Sequence, residues 1–146
     1  MTIFHAILKP RHLLPVVAAT LMASVTACNA GPAGTAIPAG AGIQSWYENG
    51  TGGHYVAPVI AGSMESLGSG SRVGTVLTDT NCSPDARGLS HCHNGIAFDD
   101  GSRITITDNH QMSRHRCLRP GERVRVSLLK GRWVTLQTGI LAGANH

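Results

Sequence analysis

The chain has 146 residues and a formal net charge of +4, and aromatic residues make up only 4% of it. This length allows one small domain with flanking segments and excludes two full-sized domains. Without the N-terminal Lys9 and Arg11 the balance falls to +2, which excludes the dense basic patch of a typical nucleic-acid-binding domain.

An uncharged apolar run follows these two basic residues and covers residues 13–25. It has the length of a signal-peptide core and is too short to span a bilayer as a helix. Small residues then precede a cysteine, and Val25-Thr26-Ala27-Cys28 resembles the lipobox of bacterial lipoprotein precursors. The resemblance implies a signal peptide over residues 1–27 and acyl chains such as palmitate on Cys28. An ordinary secretory signal and an uncleaved membrane anchor are the alternatives.

The residue after the cysteine bears on location. In enterobacterial lipoproteins an Asp at this position marks retention at the inner membrane, whereas this chain has Asn29. For a Gram-negative cell the resemblance therefore implies an outer-membrane lipoprotein that faces the periplasm. Two or more acyl chains hold a protein on a membrane stably, while one chain does not.

Residues 28–71 are rich in Gly, Ala, Pro and Ser. Such a composition buries too little apolar surface to offset the entropy of ordering, so it predicts a flexible, lipid-anchored tether. Residues 44–60 are less uniform, because Trp46, Tyr47 and Tyr55 lie there. They are interpreted as a loose loop, with a short strand or a docking patch as the alternatives.

Short alternating segments with turn signals fill residues 72–138 and predict an all-β domain. Asp100-Gly101 is a strong hairpin signal between two of them. Residues 118–124 resemble the turn-and-strand element of OB-like and SH3-like barrels. The prediction is a small antiparallel barrel or sandwich of five strands, followed by a tail over residues 139–146. The strands are expected at 73–78, 95–98, 103–107, 123–128 and 132–137.

The predicted loops at residues 81–94 and 108–117 contain the other three cysteines. In an exported protein these cysteines can be oxidised to a disulfide, and a cross-link stabilises a small domain with a modest core. Cys82 and Cys92 are closest in sequence and are the favoured pair, with Cys117 as an alternative partner. Any single pairing leaves one thiol free.

Metal binding is the alternative role for these loops. Thiolate, thioether and imidazole together suit copper(I), and thiolate with imidazole suits zinc. In a strand, however, neighbouring side chains point to opposite faces, so His91 and His93 would point away from Cys92. The candidate ligands are His91, His93, His110, Met112, His115 and Cys117.

No catalytic residue is predicted. Cys117 with His110 or His115, backed by Asp108, has the residue types of a thiol enzyme, but nothing in their spacing brings them together. The expected function is a non-enzymatic binding or structural module without a cofactor, anchored at the bacterial envelope. Its expected partners are the membrane, other envelope proteins and anionic surface polymers. Nucleic acid is not expected, because bases need aromatic stacking platforms.

Overall fold

Two tight hairpins organise the fold in the computed structural model, which describes residues 36–140. The first joins β3 (Ser90–Phe98) to β4 (Arg103–His110). Its turn places Gly101 at φ 84°, in the left-handed region that glycine tolerates. The second joins β5 (Arg123–Lys130) to β6 (Trp133–Gln137). The predicted signal peptide, Cys28 and residues 141–146 of the predicted tail lie outside the described residues.

Two further strands, β1 (His54–Gly62) and β2 (Ser71–Val76), complete a closed antiparallel barrel. Around the barrel the order is β1-β4-β3-β2-β5-β6, and β6 pairs with β1 again. Short 3-10 helices lie at Trp46–Glu48, Thr51–Gly53 and Glu65–Leu67. Residues 36–140 contain no α-helix, and within that range no helix is long and apolar enough to cross a membrane.

The all-β class is confirmed, but the prediction of five strands is wrong, because β1 is a sixth. The predicted boundary at residue 72 therefore moves to His54, inside the segment assigned to the tether. The residues of β1 do not alternate in burial, since Tyr55, Val56 and Ala57 are all buried. Val56 belongs to a second apolar cluster with Ala41 and Trp46, which covers its side of the strand. A strand buried on both faces has no period of two.

Two predicted loops are partly strand. β3 begins at Ser90 rather than at residue 95, and β4 continues to His110 rather than ending at residue 107. Burial alternates along the whole of β3, yet its first inward residues are Ser90, Cys92 and Asn94. Polar residues on the inward face concealed the strand, because an alternating pattern is normally recognised by apolar inward positions.

The barrel interior is apolar over most of its length. All six strands contribute to it, and Leu67 and Leu118 close it from the connections. Burial of this surface is the main force that holds the sheet closed. The interior comprises Tyr55, Ala57, Val59, Leu67, Val76, Ile96, Phe98, Ile104, Ile106, Leu118, Val124, Val126, Val134 and Leu136.

A glycine permits one close approach inside this core. A Cβ on Gly74 would lie 2.7 Å from Ile96 Cγ2 and 3.0 Å from the Ala97 carbonyl oxygen. We expect Gly74→Ala to lower the free energy of unfolding by about 1–3 kcal/mol through overpacking. Gly70→Ala is the control, because its Cβ would meet nothing within 4 Å, and it should change stability by less than about 0.5 kcal/mol. Equal effects in urea melts would refute the close-approach argument.

Candidate functional site

One end of the barrel interior is polar. Along β3 the inward residues change from Phe98 and Ile96 to Asn94 and Cys92. Along β4 they change from Ile106 to buried Asp108 and His110. The antiparallel register places Cys92 opposite Asp108 and Ser90 opposite His110. The two changes therefore occur at the same level, and we call Cys92, Asn94, Asp108 and His110 the polar end.

Asn49 ties this end to β1. Its side chain is fully buried, and its Oδ1 accepts a hydrogen bond of 2.7 Å from Val56 N–H. Its Nδ2 donates to Val56 O at 3.1 Å, to Asn109 O at 2.9 Å and to Asp108 Oδ1 at 3.2 Å. The Asn49 amide thus links β1 to β4, and its hydrogen bond offsets part of the cost of burying the Asp108 carboxylate.

Asp108 and His110 form a buried ion pair, with 3.0 Å between Oδ2 and Nδ1 and no exposed side-chain surface. Burial raises the pKa of Asp108, and the neighbouring His110 only partly offsets this. Burial lowers the pKa of His110, but the contact with Asp108 outweighs it, so the His110 pKa is raised. Both groups therefore hold a proton more tightly in the folded than in the unfolded chain. Among the described residues, Asp108 Oδ2 and both ring nitrogens of His110 lack a partner in hydrogen-bonding geometry, so the contact between the two side chains is electrostatic.

A group of sulfurs lies beside this pair. Cys82 and Cys92 form a disulfide, with 4.2 Å between their Cα atoms, and Cys117 is a free thiol. The favoured pairing is thus confirmed. An isolated β-bridge between Thr80 and His93 places Cys82 beside β3. Thr80 N–H donates to the His93 carbonyl at 3.0 Å, and His93 N–H donates to the Thr80 carbonyl at 2.7 Å.

Cys117 is held against this disulfide by contacts of its neighbours. The Tyr55 hydroxyl donates to the Arg116 carbonyl at 2.6 Å, and burial raises the pKa of Tyr55 to about 12. The guanidinium of Arg116 pairs with Glu122. The segment that carries Cys117 is therefore fixed from both β1 and the turn before β5.

The three sulfur atoms lie close to one carboxylate, that of Asp79. One donor atom from each of Asp79, Cys82, Cys92 and Cys117 lies within 4.8 Å of the other three. Asp79 Oδ1 accepts a 3.0 Å hydrogen bond from Asn94 Nδ2 and lies 3.2 Å from Cys82 Sγ. We call these four residues the sulfur cluster. Among residues 36–140, these are the His, Cys, Asp or Glu side chains whose donor atoms lie close enough together to bind one metal ion.

The electrostatics of the sulfur cluster do not activate its thiol. Burial raises the pKa of Cys117, and the negative charges of Asp79 and Asp108 raise it further. A nucleophilic cysteine needs the opposite, a pKa lowered by cations or a helix N-terminus.

Of the ligands predicted from sequence, the sulfur cluster contains Cys117 alone. His91 and His93 face outward from β3, as expected, while His110 faces inward. The Nδ1 atom of His91 lies 2.6 Å from Asn109 Oδ1, and Nδ1 of His93 lies 3.3 Å from Asn81 Nδ2.

The last two predicted ligands also lie apart from the sulfur cluster. His115 Nε2 lies 3.0 Å from the Tyr47 carbonyl oxygen, and the Met112 side chain is half exposed. The structure therefore places the predicted ligands on different faces rather than around one point.

Asp79 and Asn94 were missed from the sequence. Asp79 follows the predicted strand 73–78 and was given no role, and Asn94 was predicted to lie in a loop. The short spacing in Asp79-Thr80-Asn81-Cys82 was the available signal, because it keeps a carboxylate near a sulfur.

A comparison of the chain with protein-family models found no match. Comparisons with curated proteins and with solved structures found none either.

Proposed function

We propose that this chain is an exported bacterial lipoprotein whose barrel serves as a non-enzymatic binding or structural module at the cell envelope. The observation that carries the proposal is the Cys82–Cys92 disulfide. Disulfides form and persist in oxidising compartments such as the periplasm and are rare in the cytosol. The lipobox-like Val25-Thr26-Ala27-Cys28 supplies the route to that compartment and the anchor.

The raised pKa of the free thiol favours a binding role over thiol catalysis. The charge pattern favours another envelope protein as partner over an anionic polymer. Four arginines of the described residues form an ion pair with a carboxylate and are compensated locally: Arg72, Arg87, Arg116 and Arg123. The positive charge left to attract a polyanion is correspondingly smaller.

The test compares the full-length chain with Cys28→Ala and, as a matched cysteine control, Cys117→Ala in bacteria fed labelled fatty acid. We expect labelled wild type and Cys117→Ala in the membrane fraction, and unlabelled Cys28→Ala outside it. Intact mass before and after reduction should show one disulfide in each exported form. A wild-type chain without fatty acid, or a Cys28→Ala variant that keeps its label, would overturn the proposal.

A further inference from the structure

The sulfur cluster has the composition of a metal site as well as of a disulfide. Three sulfur atoms and one carboxylate oxygen converge within 4.8 Å of one another from three separate segments of the chain. Four donors of this kind match the tetrahedral coordination of zinc, for which thiolate is the commonest structural ligand and Asp an accepted one. The spacing of these residues matches no standard finger, so the site is visible only in the fold.

We infer that, when the Cys82–Cys92 disulfide is reduced, Asp79, Cys82, Cys92 and Cys117 bind one Zn²⁺ ion. The same three cysteines thus serve two exclusive states, a disulfide with a free thiol or a zinc thiolate site. This inference goes beyond the envelope role and does not depend on it, because it concerns the chemistry of the barrel alone.

The supporting shell is already in place. Asn94 is fully buried, and its Nδ2 donates both to Asp79 Oδ1 at 3.0 Å and to the Thr78 carbonyl at 3.2 Å. Such a contact orients a carboxylate ligand and fixes its position before the ion arrives. Cys92 is held by the β3–β4 ladder, opposite Asp108, and is also fully buried.

The charge of the site is acceptable for zinc. Three thiolates and one carboxylate around Zn²⁺ give the net charge of an ordinary four-cysteine zinc site. Loss of three thiol protons makes binding depend on pH, with tighter binding as pH rises.

The chemical steps balance. A dithiol reductant gives two electrons and two protons to the disulfide, which yields the Cys82 and Cys92 thiols and the oxidised, cyclic disulfide of the reductant. Zn²⁺ then displaces the protons of three thiols and binds the Asp79 carboxylate. In an oxidising compartment the disulfide form predominates, so zinc uptake requires a dithiol reductant there. A disulfide oxidant then accepts two electrons from the Cys82 and Cys92 thiolates and is reduced to its dithiol, which re-forms the Cys82–Cys92 disulfide and releases the ion.

The experiment uses the full-length chain in detergent, reduced with a dithiol that is then removed without oxygen. Zn²⁺ alone is titrated in competition with a chromophoric chelator, and Co²⁺ is used as a spectroscopic probe of thiolate ligation. We expect one Zn²⁺ per reduced chain, thiolate-to-cobalt charge-transfer absorption, and no comparable site in the oxidised chain.

Four variants distinguish this site from the alternatives. Cys117→Ser and Asp79→Asn should each weaken zinc binding at least about tenfold, the lower end of the loss seen even for supporting residues. His115→Ala should bind as wild type, as should Cys28→Ala, which removes the cysteine outside the cluster. Circular dichroism of each variant before titration establishes that it is folded.

Two results would overturn the inference. One is equal zinc affinity in the oxidised and reduced chains. The other is zinc binding lost in His115→Ala but kept in Cys117→Ser. Neither result depends on where the protein resides, so failure here is distinguishable from failure of the envelope proposal.

Discussion

Replacement of His110 by leucine should lower the free energy of unfolding by about 3–5 kcal/mol at neutral pH, the usual cost of breaking a buried ion pair. His110 and Asp108 have no exposed side-chain surface, and Oδ2 lies 3.0 Å from Nδ1. Without the imidazole, the carboxylate must stay charged in the interior or take up a proton. Urea denaturation of the purified chain and the variant measures the difference.

The loss in His110→Leu should shrink on acidification. Burial raises the pKa of Asp108, and the contact with His110 partly lowers it again. Without His110 the Asp108 carboxyl holds its proton more tightly, so the variant gains more stability than the wild type as the pH falls. A raised pKa contributes stability that is complete below the ordinary carboxyl pKa and is lost as pH rises through the folded value. Unfolding free energies measured at several pH values from 7 toward 4 should therefore converge between wild type and variant.

The control replaces both partners, as Asp108→Asn with His110→Leu. This pair of changes leaves no buried charge, and its stability should lie near that of wild type with little dependence on pH in this range. A His110→Leu variant within about 1 kcal/mol of wild type at pH 7 would show that the two residues do not act as an ion pair.

The second large effect concerns the disulfide. Cys82→Ala with Cys92→Ala should lower the free energy of unfolding by roughly 2.7 kcal/mol, since the ten-residue separation closes a loop in the unfolded chain. The measurement is a guanidinium melt of each protein under oxidising conditions, with zinc removed by a chelator.

Reduction provides the matched comparison. A reductant should destabilise the wild type by a similar amount and leave the double variant unchanged. Cys117→Ala opens no loop and should cost less than the double replacement. Two results would show that the cross-link is not the source of the stability. One is a double variant with the same denaturation midpoint as the oxidised wild type. The other is a double variant that reductant destabilises as much as it destabilises the wild type.

The sequence predicted the apolar part of the barrel well and the polar end poorly. All five predicted strands are present, because Ile96, Ile104, Val124 and Val134 are inward residues separated by outward ones, and Asp100-Gly101 marks a turn. Each of these signals is local.

The missed features depend on distant partners. β1 was hidden because residues around Trp46 cover the outward side of Val56 and remove the alternation. The start of β3 was hidden because its inward residues are not large apolar ones: Asn94 is stabilised by a hydrogen bond to Asp79, and Cys92 by the disulfide to Cys82. Alternation reveals only strands with apolar inward faces.

The cysteine pairing was predicted because the two residues are close in sequence. The sulfur cluster was not, because Asp79 and Cys117 are separated by almost 40 positions and meet only through the barrel. His91, His93, His110, Met112 and His115 were chosen by residue type. The alternation of side chains along β3 and β4 places His110 in the interior and His91 and His93 outside, while Met112 and His115 follow the end of β4 and are not buried.

Closure of the barrel determines when each strand can pair during folding. Among the described strands β1 is the first to be synthesised, yet its neighbours are β4 and β6. Its pairing from His54↔Gln137 onward waits for nearly the whole chain. Contacts between such distant positions slow folding, and until they form the backbone groups of β1 remain unpaired and open to another chain. While the chain is incomplete, β1 is therefore a strand whose unpaired edge can pair with another chain.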